Sequence, residues 1–167
     1  FVKPKKKSFL KPALLGGRKT ITKKFELYNS IGQEEVKIAN KVIKSGILSG
    51  FKASKGKKFY GGFFVKKFED NLKNFYGVKY ALTFNSWTSG IIASLGALNL
   101  RPGDEVITTP WTMSACTTAI LHWNAIPVFA DIKKESFCID PMDIKRKISK
   151  KTKVILIVDI FGVPCDV

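Results

Sequence analysis

The chain has 167 residues, 45% of them hydrophobic and 25% charged, the balance of a soluble globular protein with room for one core. No apolar run approaches the roughly 20 residues that cross a bilayer, so no membrane-spanning helix is expected in this chain. Three cysteines without a CxxC spacing and a single histidine, His122, give little support to a zinc site or a Cys–His nucleophile pair.

The formal charge of +16 raises three partner classes: nucleic acid, an anionic membrane, or a phosphorylated substrate. Lysines cluster in KPKKK, KASKGKK and ISKKTK but are otherwise spread along the chain, and arginine is scarce. Solvated lysine faces are the simpler expectation, and their field would still favour an anionic small molecule. The first apolar patch is too short, and too broken by Lys and Pro, for a secretory leader. With an odd thiol count this points to a reducing cytoplasm, with Cys116, Cys138 and Cys165 as small core residues. A start at Phe rather than Met points to a processed or partial polypeptide.

In chain order, residues 1–28 read as a basic arm broken by Pro4, Pro12 and Gly16-Gly17. Ser30 and Gln33 have capping-box spacing ahead of a helix with Val36, Ala39, Val42 and Ile43 on one face, closed by Gly46. Residues 46–62 hold five glycines and several lysines, the composition of a connector or a loop over a site. Phe64, Phe68, Leu72 and Phe75 recur at helical spacing up to Gly77 and predict a buried helix face. Lys79–Phe84 reads as a strand, and Ile91, Ile92, Leu95 and Leu98 as the inner face of the next helix. After the turn Arg101-Pro102-Gly103-Asp104 come a strand (EVITT), a helix over 114–123 and a strand (IPVFADI). Asp140 and Pro141 cap a helix with Ile144 and Ile148 as its buried pair, and KVILIVDI reads as a strand buried on both faces. This alternation predicts an α/β fold, a mostly parallel sheet with helices on both sides.

In such a sheet ligands sit beyond the carboxyl ends of the strands. Three segments fall there. FNSWTSG opens a helix, so unpaired N–H groups and the hydroxyls of Ser86, Thr88 and Ser89 could hold a phosphate, although plain N-capping explains them equally well. TTPWTMSA places Trp111 and Met113 two residues apart, able to rest against a flat ring or to pack in a core. Asp159 ends the last strand, as a ligand-facing carboxylate or as a cap of the following turn.

The run NSWTSG…ALNLRPGDEVITTPWTMSACTTAILHWNAIPVFADI…SFCIDPMDI…TKVILIVDIFGVPCD, with GILSGF and YGGFFVKKFED before it, resembles the amino-terminal half of the DegT/DnrJ/EryC1/StrS aminotransferases. The resemblance spans about residue 12 to 167. It implies a three-layer α/β/α domain of fold type I, with 29–167 as the amino-terminal portion of a truncated large domain. It implies pyridoxal phosphate as cofactor, glutamate and a nucleotide-linked keto-sugar as substrates, and a homodimer in the cytoplasm. No membrane or nucleic-acid partner is expected. Thr88 and Ser89, with the backbone at Trp87, match the turn that binds the cofactor phosphate; Met113 matches a position where an aromatic usually stacks on the ring. Trp87 stands where the family often has glycine, so its side chain must point away while its N–H faces the phosphate.

The family's acidic partner of the ring nitrogen, in a motif like EDAAQ, and the lysine that binds the cofactor covalently have no match here. No catalytic residue is assigned, and the chain is expected to be inactive alone. Sugar dehydration on the same cofactor is an alternative. So is a noncatalytic module that binds nucleic acid through KKFYGGFFVKK or completes another subunit.

Overall fold

The computed structural model describes residues 11–48, 50–51, 54–56 and 59–166. The lysines of KPKKK, and Ser49, Lys52, Ala53, Lys57 and Lys58 of the glycine-rich loop, lie outside the described residues. The chain divides into two units, Phe1–Phe59 and Tyr60–Val167.

In the first unit a 3-10 turn, Ala13–Leu15, precedes helix α1, Gln33–Lys44. The cap lies two residues beyond the expected one. The chain enters the helix at Gly32, whose N–H donates to Glu35 Oε2 at 2.7 Å, while Asn29 Oδ1 accepts from Ile31 in a turn just before. That hydrogen bond holds the Glu35 carboxyl below its ordinary pKa. None of α1 is buried, so its predicted inner face is uncovered.

The second unit carries helix α2, Phe63–Tyr76, helix α3, Trp87–Ala97, strand β1, Glu105–Thr108, helix α4, Ala115–His122, strand β2, Ile126–Phe129, helix α5, Pro141–Lys147, and strand β3, Thr152–Ile155. The strands form a parallel sheet in the order β2-β1-β3, with an irregularity at Lys153 where Glu105 pairs Thr152 and Val106 pairs Val154. Right-handed βαβ crossovers need helices on the sheet faces, and two cores result. Val106 faces α3 and α4, packing with Ile91, Leu95, Cys116, Ala119 and Ile120. Its neighbour Ile107 faces the other way, against Ala130, Ile139 and Ile144 of the α5 side. The fold is therefore the expected α/β/α sandwich. Cys116 and Cys138 are buried and Cys165 is half-buried, all as free thiols.

Four elements depart from expectation. Lys79–Phe84 joins no ladder, because no described strand runs beside it. Instead, Thr83 donates through N–H (3.0 Å) and Oγ1 (2.9 Å) to Glu69 of α2. The predicted inner face of α2 is not buried: Phe64, Phe68 and Phe75 are exposed, since only the edge of the Thr83–Phe84 segment lies beside the first two and no sheet or helix covers the face. The last strand is covered on one face only. Val154, Leu156 and Val158 pack on the α3–α4 core, but Ile155 and Ile157 are exposed, because β3 is the edge strand and α5 does not reach across it. Ile144 is buried and Ile148 is 54% exposed, because the helix ends at Lys147 and the backbone turns extended at Ile148 (ψ 128°). The Asp140–Pro141 start holds as predicted, with Asp140 Oδ1 accepting from Met142 N–H at 3.0 Å.

Two local contacts fix the layers. Trp123 donates from Nε1 to Ile92 O (2.8 Å), and its ring fills the space beside Gly96, where a Cβ would lie 2.3 Å from a ring carbon. On the opposite side Asp143 accepts from Asp131 N–H (2.7 Å) and pairs with Arg146 (3.0 Å) and Lys147 (3.1 Å). The Asp131 N–H, followed by the two cations, holds its carboxyl down at about 2, with burial opposing.

Gly96→Ala should lower the urea midpoint of unfolding by the equivalent of about 1–3 kcal/mol through overpacking, although Gly→Ala inside a helix ordinarily stabilises; a raised midpoint would show that the tryptophan ring yields. Asp143 has a folded pKa below its unfolded one, so its contribution is complete above pH 3.8 and is lost as pH falls toward about 2. Asp143→Asn should be less stable at neutral pH and show a flatter stability curve between those values, read by denaturant melts across pH.

Candidate functional site

Helix direction places the three candidate segments on one edge of the sheet. α3 ends at the Arg101–Asp104 turn, which enters β1 at its amino end, and α4 ends at Trp123-Asn124, just before β2. Both helices therefore run back along the sheet, and both begin at its carboxyl edge. The segments 109–114 and 156–159 leave β1 and β3 at that same edge. Thr108 Oγ1 donates to Leu156 O at 3.1 Å and ties the two exits together.

Ser86 is the N-cap of α3: its Oγ accepts from Ser89 N–H (3.1 Å) and lies 3.1 Å from Ser89 Oγ. The cap satisfies one of the orphan donors of the first turn. Gly90 N–H bonds to Ser86 O, which leaves the N–H groups of Trp87 and Thr88 without an acceptor among the described residues. No acidic residue occupies that turn. The donors, the Thr88 and Ser89 hydroxyls and the positive end of the helix dipole share one sign, the requirement for holding a phosphate. Capping and anion binding are thus compatible here, because they use different N–H groups. Trp87 is 78% exposed and its indole lies back over Gly90, where a Cβ would stand 3.2 Å from the ring. Its bulk runs along the helix flank beside Phe84 and Ala93.

At the exit of β1, Met113 is 73% exposed, a thioether with a free face. Trp111, the other apolar candidate, is stacked on Phe137 with centroids 6.1 Å apart and planes at 30°. Its N–H donates to Thr109 Oγ1 (3.1 Å). The carboxylate of Asp159 serves its own turn: Oδ1 accepts from Cys165 N–H at 2.9 Å and its backbone carbonyl from Gly162. Burial, with Asp159 and Cys138 close by, pushes the Cys165 thiol up to about 11. The structure thus brings Ser86, Trp87, Thr88 and Ser89 together as one turn, and it puts Met113 and Asp159 on the same edge. Phe137, which occupies the face of Trp111, escaped sequence reading. It sits in a turn at φ 62° with no periodic pattern to mark it.

The match with known proteins has the same extent as this unit and more. Residues 39–167 match the model of the DegT/DnrJ/EryC1/StrS aminotransferase family. The chain belongs to that family. It is 38% identical over 136 residues to the spore coat polysaccharide biosynthesis protein SpsC of Bacillus subtilis, covering 81% of this chain and 32% of that protein. It is 37% identical over 127 residues to GDP-perosamine synthase of Vibrio cholerae, covering 76% and 33%. The crystal structure of ntda from Bacillus subtilis with bound cofactor PMP superposes with a TM-score of 0.70 at 32% identity, covering 81% of this chain and 30% of that one. The chain spans about a third of the length of these relatives. The sandwich described above is accordingly that of fold type I aminotransferases.

Ser86→Ala should lower stability by about 1 kcal/mol through loss of the cap, and Ser86→Asp should retain most of it. Urea melts of the two variants check this; equal midpoints would assign the Ser86 hydroxyl another role.

Proposed function

We propose that the enzyme containing this chain is a pyridoxal-phosphate-dependent aminotransferase that moves an amino group from glutamate to a nucleotide-linked keto-sugar, acting as a homodimer. Family membership supports the reaction class. The observation that carries the site is the first turn of α3, whose Trp87 and Thr88 N–H groups stay free while Ser86 caps Ser89. This donor set fits a phosphate dianion: two backbone N–H groups, two hydroxyls and no carboxylate.

In this reading Thr88 and Ser89 hold the cofactor phosphate, with the Trp87 N–H beside them and Ser86 fixing the turn. Met113 offers its thioether to one ring face. Asp159 bounds the site on the β3 side. When bound, pyridoxal phosphate supplies the electron sink on which amino-group exchange depends. A rigid helix start suits the task, since its donors are already oriented and lose little entropy on binding. The acidic partner of the ring and the covalent lysine that the resemblance implies have no matching motif in these 167 residues, and we take the 167 residues alone to be without transaminase activity.

In the holoenzyme, Thr88→Ala combined with Ser89→Ala should weaken pyridoxal phosphate binding at least ~tenfold, since hydrogen bonds to a charged acceptor are each worth about 1.5–3 kcal/mol. Absorbance titration of the apoenzyme measures this; unchanged affinity defeats the assignment. Glutamate added alone to the holoenzyme should release 2-oxoglutarate, and its absence would overturn the donor.

A further inference from the structure

The positive charge is unevenly placed. Residues 1–59 hold 16 basic and 3 acidic residues, and residues 60–167 hold 13 and 10. Most of the net charge, +13 of +16, therefore belongs to the first unit, and no acidic residue occurs before Glu26. We propose that the arm Lys11–Tyr28 docks the protein on the surface of an anionic lipid bilayer. It lies ahead of residues 39–167, which match the family model.

The geometry supports a peripheral anchor. Pro12 and Gly17 close a tight turn: Leu15 N–H and Gly17 N–H both donate to Pro12 O (2.9 and 3.0 Å), and Gly16 N–H to Ala13 O. A Cβ on Gly17 would lie 1.7 Å from Lys11 O, so only glycine closes the turn this way. Leu14 and Leu15 stand at its tip, and Leu14 is 96% exposed. Lys11 precedes the tip, and Arg18 and Lys19 follow it across a concave surface shared with Thr20 and Thr22. Lys23 and Lys24 follow, and Ile21, Phe25, Leu27 and Tyr28 are exposed beside them. None of the five cations forms an ion pair with a described residue.

Such a surface combines two attractions. The cations meet anionic headgroups at roughly fivefold in affinity per residue. The leucines reach the acyl boundary while neighbouring lysine stems lie along it. A single-stranded nucleic acid would reward arginines and stacking aromatics instead. The arm has one arginine, and its exposed apolar side chains are mostly aliphatic. Aliphatic side chains gain nothing from a phosphodiester backbone. The arm lies on a membrane rather than spanning it, and no helix among the described residues is long and apolar enough to cross one.

The test is flotation of the protein with vesicles of phosphatidylcholine alone or with about 30% phosphatidylglycerol, at about 50 and 500 mM salt. Binding should require phosphatidylglycerol and fall at high salt. Lys11→Gln, Arg18→Gln and Lys19→Gln together should weaken it roughly 100-fold, and Leu14→Ser with Leu15→Ser about tenfold at constant charge. Equal binding to phosphatidylcholine, or indifference to either variant, overturns the proposal. Poly(U) binding that displaces the vesicles and ignores the leucine variant would assign the arm to nucleic acid. Urea midpoints of the variants should match the parent, because the altered side chains are exposed.

Discussion

The second unit depends on four residues of β1. Val106 and Ile107 are adjacent and both 0% exposed, and strand geometry sends them to opposite faces. One closes the α3–α4 core and the other the α5 core. Both neighbouring strands hydrogen-bond to β1 in parallel. A parallel arrangement obliges each connection to return to the starting edge, and the returning elements here are helices. That requirement puts the start of α4 at the carboxyl edge, and α3, which no described strand precedes, begins at the same edge because it runs back along the sheet before the turn into β1. The candidate site is a consequence of topology before it is a consequence of any side chain.

Within that edge the hydroxyl-rich junction has a division of labour. Ser86 spends its oxygen on the helix, and the donors it leaves free are backbone groups that cannot be mutated away. Thr88 and Ser89 can then add hydroxyls without competing for the cap. The indole of Trp87 lies over Gly90, away from those donors. A bulky residue at this position is tolerated because Gly90 presents no Cβ to it.

Most of the sandwich was legible because its periods are strong. The strand patterns of EVITT and IPVFADI, the Asp140–Pro141 start and the Pro102–Gly103 turn are local signals, and each is found where it was expected. In that turn Asp104 N–H returns to Arg101 O, and Gly103 takes φ 86°, which glycine adopts without strain. Three of the failures share one cause. Phe64, Phe68 and Phe75 have the spacing of a buried face, and Lys79–Phe84 has the look of a strand, but spacing states what a segment can cover and not what covers it. Ile155 and Ile157 failed likewise, since a β-branched run reads the same in a central strand and at an edge.

The sequence by itself determined the family, the order of elements and the hydroxyl turn at 86–89, because caps, turns and hydrophobic periods act between residues a few positions apart. Only the tertiary structure decided which groups remain free. Ser86 could bond its helix or a ligand; Trp111 could face a ring or Phe137; Asp159 could face a substrate or the Cys165 N–H. Each choice is a competition between a local partner and a distant one. The packed layers show which protein partner each group takes, and no spacing in a linear chain records that distance.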